Sequence, residues 1–171
     1  MPTTILDLID LRSFSNIWYW IFLGVTWSRI LTHPMGIPVD MLRAARAEDA
    51  DARERLAALT EIMVRRHLAH LNGLGPMLVG TWAFALTGLV LLSVLYRVEI
   101  AQAVLMLAVP LALAAWLTAR GARHLAQAQL TVDDLPRALS VLRWKLQALA
   151  LLAVFFSALW GMFHNLSAMV L

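Results

Sequence analysis

The chain has 171 residues, 61% of them hydrophobic and 15% charged, with a formal net charge of +3 and no cysteine. That apolar share lies well above the roughly 45–50% of a soluble domain and is gathered in long blocks, as in a chain solvated by lipid. The basic residues sit beside those blocks, which directs them to anionic headgroups rather than nucleic acid; the lack of cysteine excludes disulfides, thiolate metal sites and cysteine nucleophiles.

Residues 3–12 place Ile5, Leu8 and Ile9 on one side and Asp7 and Asp10 elsewhere, a spacing that suits a short helix lying at a membrane surface or a frayed tail. Acids where a signal peptide carries its positive region argue that the first apolar stretch is retained as an anchor. That stretch, residues 16–32, reads as a first membrane span capped by Ser15 or Asn16. Trp18, Tyr19 and Trp20 suit the outer interface and Trp27 approaches the inner one, as amphipathic rings prefer. Pro34 ends it.

Residues 37–72 form the one long charged segment and read as helical, either a single rod or a bent pair with the bend near residues 47–52. Asp49 with Arg53, Asp51 with Arg55 and Glu61 with Arg65 are i,i+4 pairs in the favourable order, acid before base. The run Asn72-Gly73-Leu74-Gly75-Pro76 predicts a break. Two further spans follow, residues 77–96 and 98–118, separated only by the polar Arg97–Glu99 turn and therefore a tight hairpin; Pro110 predicts a kink in the second of them. Residues 120–145 are polar again. Thr131 and Asp134 have capping-box spacing and Pro136 suits a first turn. A helix from there runs through Arg143-Trp144-Lys145, an interface signature, into a fourth span at residues 146–164.

These elements predict an all-α integral membrane protein of a single domain, with four transmembrane helices and amphipathic helical segments at 37–72 and 120–145. Four spans put Arg12 and Arg97 on one side. Arg29 and the other eleven lysines and arginines fall on the other. Twelve against two predicts, by the positive-inside rule, periplasmic termini and cytoplasmic polar segments in a bacterial inner membrane. Arg29, Arg65, Arg66, Arg143 and Lys145 are the expected headgroup contacts.

Each span carries small residues that allow close helix approach in lipid: Gly24 and Ser28; Thr81, Ala85 and Gly88; Ala108, Ala112 and Ala115; and, longest, Ala150, Ala153, Ser157, Gly161 and Asn165. Trp20, Gly24, Ser28, Ala150, Ala153, Ser157 and Gly161 are the candidate helix-packing or partner interface. They serve either the bundle itself or a contact with another subunit.

Chemistry is sparse. His67 and His70 share a helical face, and Glu61 and His124 fall on the same side of the membrane, so a zinc or iron site can be drawn from them. The spacing is common, and polar residues are needed there in any case, so no metal or other cofactor is assigned. His33 is a further histidine, and His164 falls on the opposite side of the membrane. No phosphate loop, catalytic triad or carboxylate pair is recognisable, and Asp133-Asp134 reads as helix capping, so no catalytic residue is assigned.

The first third, with Asp10-Leu11-Arg12-Ser13-Phe14-Ser15-Asn16, Trp18, Trp20, Trp27-Ser28 and Gly36-Ile37-Pro38-Val39-Asp40-Met41, resembles an uncharacterised family of small bacterial inner-membrane proteins. Some of these are labelled as linked to iron–sulfur cluster (SUF) assembly. The resemblance implies an inner-membrane setting and no catalytic residues; in a chain without cysteine, an iron–sulfur role would be that of a partner. In span count the chain is also similar to the small membrane subunit of periplasmic-binding-protein-dependent transporters, whose termini are expected inside. The reading that follows is a non-enzymatic accessory, assembly or scaffolding subunit of a larger membrane complex. A homo-oligomeric channel or small transporter subunit is the alternative, with Thr26, Ser28, Arg29, Thr81, Thr87, Ser157 or Asn165 along its path.

Overall fold

The computed structural model describes residues 17–47, 49–128 and 131–169, with the backbone alone for residues 164, 165 and 167–169. The surface helix expected over residues 3–12, the caps at Ser15 and Asn16, and the side chains of His164 and Asn165 lie outside this description. Among the described residues every regular element is helical: α1 (Ile17–Thr32), a 3-10 turn (Pro34–Gly36), α2 (Val39–Arg46), α3 (Ala50–Val94), α4 (Glu99–Gln127) and α5 (Leu135–Met169).

Helix α1 ends where its sequence requires. The Thr32 hydroxyl donates to the Ser28 carbonyl (2.7 Å), and Pro34 removes the next amide donor. Met35 (φ 58°) and Gly36 (φ 82°) then both take left-handed backbone. For glycine this is free. For Met35 it costs about 1–2 kcal/mol, offset by burial of its side chain and that of Ile37 in the core. The reversal lays α2 back against the bundle through Leu42 and Ala45.

The charged segment is a pair of helices, α2 ending at Arg46 and α3 starting at Ala50. Asp49 caps α3, its Oδ1 accepting from the amides of Asp51 (3.0 Å) and Ala52 (3.3 Å). Asp49→Ala is expected to lower stability by about 1 kcal/mol, read as a shift in chemical unfolding, whereas Asp49→Ser is expected to retain most of it. With Asp49 occupied in this way, the expected Asp49–Arg53 pair does not form. Arg53 reaches across the fold instead, donating from Nε to the Ala45 carbonyl (3.1 Å) and from Nη1 to Asp133 (2.8 Å). Asp133 therefore binds Arg53 rather than capping α5. Thr131 is not the helix cap either: its hydroxyl donates to Asp134 Oδ2 (2.6 Å) in a turn just before α5. Of the other local pairs, Glu61–Arg65 is close (2.6 Å) and Asp51–Arg55 loose (3.9 Å).

The expected break at residues 72–76 is absent. Helix α3 runs unbroken for 45 residues with Pro76 in its interior, a length of about 68 Å at 1.5 Å per residue. Local punctuation does not end the helix here, since a helix in a membrane tolerates a proline. The Arg97 turn forms as expected. Val98 N–H closes it onto the Leu92 carbonyl (3.2 Å), and the Gln102 amide donates to the Ser93 carbonyl (3.3 Å), tying the start of α4 to the end of α3. Helix α4 continues through Pro110.

Among the described residues three helices are long and apolar enough to cross a membrane: Ala50–Val94, Glu99–Gln127 and Leu135–Phe163. At 16 residues, about 24 Å, α1 is shorter than a hydrocarbon core of about 30 Å. Contacts place α4 between α3 and α5, with α1 on the far side of α5. Each long helix has a polar and an apolar half, and the alternating chain direction gathers the polar halves at one end.

The two ends pack by different rules. At the polar end large side chains are buried, with Leu56 and Leu146 wholly enclosed in one cluster with Leu42, Leu139 and Leu142, as expected where water drives burial. Deeper among the apolar halves the buried residues are small: Ala101, Ala103, Ala108, Ser93, Ser157 and Gly161. There lipid removes the hydrophobic drive between helices, and close backbone approach replaces it.

Candidate functional site

Helix α1 and the apolar half of α5 run antiparallel. The Tyr19 and Ser157 side chains come together near one end of the contact, while Ser28, Leu31 and Thr32 share a cavity with Arg143 near the other. The contact works because α5 turns Ala150, Ala153, Ser157 and Gly161 into the interior, all four being buried. Within this single chain the longest small-residue stripe is consumed by intramolecular packing.

The other stripes divide differently. Leu23 and Trp27 are the residues α1 buries, so Trp27 is a core side chain and not an interfacial ring. Gly24 and Ser28 are exposed and Trp20 is half-buried; a Cβ built on Gly24 meets nothing within 4 Å. On α3, Thr81 and Ala85 face outward and Gly88 is half-buried, while on α4 Ala108 and Ala114 are buried and Ala115 is exposed. The α4 stripe is therefore one position away from the expected one at that turn. A contact that the spacing argument missed is Gly121, whose added Cβ would lie 3.1 Å from Leu142 Cδ2. A lone glycine within a helical pattern is its only sequence signal.

Between the end of α1, the start of α2 and α5 lies a cavity of about 410 Å³, lined by Ser28, Leu31, Thr32, His33, Val39, Asp40, Arg43 and Arg143. Arg143 is half-buried, and its Nε is enclosed without a hydrogen-bond partner among the described residues. Nδ1 of His33 lies 3.0 Å from the Thr32 hydroxyl. Since that hydroxyl gives its proton to Ser28, Nδ1–H is the donor and Nε2 remains available. On the other side of α5, Arg120, His124 and Lys145 line a groove of about 290 Å³ between α4 and α5. Arg120 lies 5.4 Å from the centre of the Trp116 ring, in range for a cation–π contact.

His67 and His70 do share a niche, of about 380 Å³, with Met35, Gly36, Met63 and Arg66. Their Nδ1–H groups donate to the Met63 (2.9 Å) and Arg66 (2.6 Å) carbonyls, leaving each Nε2 as the acceptor nitrogen. The Arg66 guanidinium in the same niche works against a cation. Glu61 and His124 line other cavities, and among the described residues no three His, Asp or Glu side chains come together as a metal site. Of the remaining expected headgroup contacts, Arg29 and Lys145 are exposed and Arg65 pairs with Glu61. No family model, curated protein or solved structure matches the chain.

Proposed function

We propose that this chain is a non-enzymatic accessory, assembly or scaffolding subunit of a larger bacterial inner-membrane complex, crossing the membrane four times with both termini periplasmic. The observation that carries the reading is the outward face of α1. Gly24 and Ser28 are exposed there beside half-buried Trp20, and small residues facing out of a bundle leave room for a further helix to approach closely. The alignment of α1 with α5 residues 143–157, a depth of about 21 Å, supports counting α1 as the fourth span. The twelve-to-two charge distribution supports the orientation.

A proportion of any such protein is expected to migrate with a partner on blue-native electrophoresis after mild extraction. Gly24→Leu, which fills the open face without touching the bundle, is expected to release it. A lone monomer at every detergent concentration sinks the proposal. The transport alternative draws less support, since Ser157 is buried against Tyr19 and the Thr87 hydroxyl is bonded to the Ala83 carbonyl of its own helix (2.8 Å).

A further inference from the structure

We infer that the cavity between α1, α2 and α5 is a binding site for the phosphate group of an anionic phospholipid, held by Arg43 and Arg143 with His33 at its rim. The inference rests on the membrane reading of the chain and not on its role as an accessory subunit.

Two segments far apart in sequence deliver the cationic groups: the turn after α1 and the adjoining α2 bring His33 and Arg43, and α5 brings Arg143. Neither arginine forms an ion pair among the described residues. An enclosed guanidinium nitrogen without a partner is costly, so the Arg143 Nε calls for an acceptor from outside the chain. The lining adds hydroxyls from Ser28 and Thr32, and Val39 and Asp40 bring the first turn of α2 to the wall. Helix amides at such a terminus favour an anion. The opposing group is the Asp40 carboxylate, which neutralises one of the two arginines and leaves a net positive site. A volume of about 410 Å³ accommodates a phosphodiester with its glycerol, in the range of small-molecule sites.

Location selects the lipid over a free anion. The cavity adjoins the last turn of α1, next to exposed Arg29, and shares Arg143 with the exposed pair Trp144 and Lys145. These are residue types of a headgroup layer. Leu31 and Val39 in the lining give the upper acyl chain an apolar wall to lie against, which inorganic phosphate would not use.

The test reconstitutes the full chain into phosphatidylcholine nanodiscs doped with phosphatidylglycerol and measures co-purifying lipid by native mass spectrometry. Wild type is expected to enrich phosphatidylglycerol. The double variant R43Q/R143Q is expected to lose that enrichment roughly tenfold, as two charge-assisted bonds are removed. Asp40→Asn is expected to raise it about twofold or more by removing the competing carboxylate, a gain that misfolding does not imitate. Arg137→Gln, outside the cavity, is expected to leave it unchanged.

Equal phosphatidylglycerol retention by wild type and R43Q/R143Q overturns the site. So does equal loss in Arg137→Gln, which would mean diffuse surface attraction. Displacement of the lipid by inorganic phosphate overturns the lipid assignment in favour of a soluble phosphate ligand. Insertion of the wild type into undoped phosphatidylcholine discs reports on the membrane reading separately.

Discussion

Leu56→Ala is expected to cost about 2–5 kcal/mol of stability, whereas Leu91→Ala, on the same helix, is expected to cost under about 0.5 kcal/mol. Leu56 is wholly enclosed, in one cluster with Leu42 and Ala45 of α2 and Leu139 and Leu142 of α5. Truncating it opens a cavity at the point where three elements meet in the polar half of the bundle. The surroundings cannot collapse to fill it, because α2 is held in place on one side by Arg53 bonding the Ala45 carbonyl and on the other by the buried Met35–Ile37 turn. Leu91 is 47% exposed in the apolar half of α3, where lipid takes over whatever the side chain gives up. Chemical unfolding of the two variants in the same detergent checks the contrast. Equal losses would mean that the large core at the polar end does not carry the stability.

Ser157→Leu is expected to separate α1 from α5, lowering stability by about 3 kcal/mol, at the upper end of the range for overpacking. Ser157 is fully buried where Tyr19 crosses α5, and this close approach exists because Ala150, Ala153, Ser157 and Gly161 present no bulk. The hydroxyl itself matters less. Ser157→Ala, which keeps the residue small, is expected to cost no more than about 0.6 kcal/mol, the average for a polar contact between helices in a bilayer. Trp27, buried on the same face of α1, supplies the readout: its fluorescence is expected to shift in Ser157→Leu and to stay put in Ser157→Ala. A larger loss in Ser157→Ala than in Ser157→Leu would make the polar contact, not the size of the residue, the reason α1 is held.

Both expectations follow from a division of packing that runs along the bundle. Water reaches the polar halves, so large aliphatic side chains there are driven together, and Leu56 and Leu146 have no exposed surface. In the apolar halves nothing drives leucine off the lipid. The long helices expose Leu91, Leu92, Leu151 and Leu152 and bury Ala108, Ala153 and Gly161. The same residue types thus carry opposite meanings at the two ends of one helix.

Much of this was legible in the order of residues alone, because it depends on local properties of the chain. The apolar blocks over residues 77–118 and 146–164 carry their own requirement for lipid. The Arg97 turn and the end of α1 at Pro34 follow from which residues can continue a helix, whereas residues 37–72 read equally as one rod or a bent pair. The gathering of basic residues at one end follows from the number of helices between them.

What only the tertiary structure decided concerns partners. Gly73 to Pro76 reads as a break but is helical within α3. The spacing on α1 marks Gly24 and Ser28 as a packing face, yet Leu23 and Trp27 point inward; on α4 it marks Ala115 where Ala114 is buried. A period of 3.6 gives a face without saying which side of the bundle that face meets. Arg53 has a local acid four residues before it and binds Asp133, 80 positions away. Arg43 and Arg143 converge on one cavity for the same reason: distance along the chain carries no information about distance in space once helices fold back on one another.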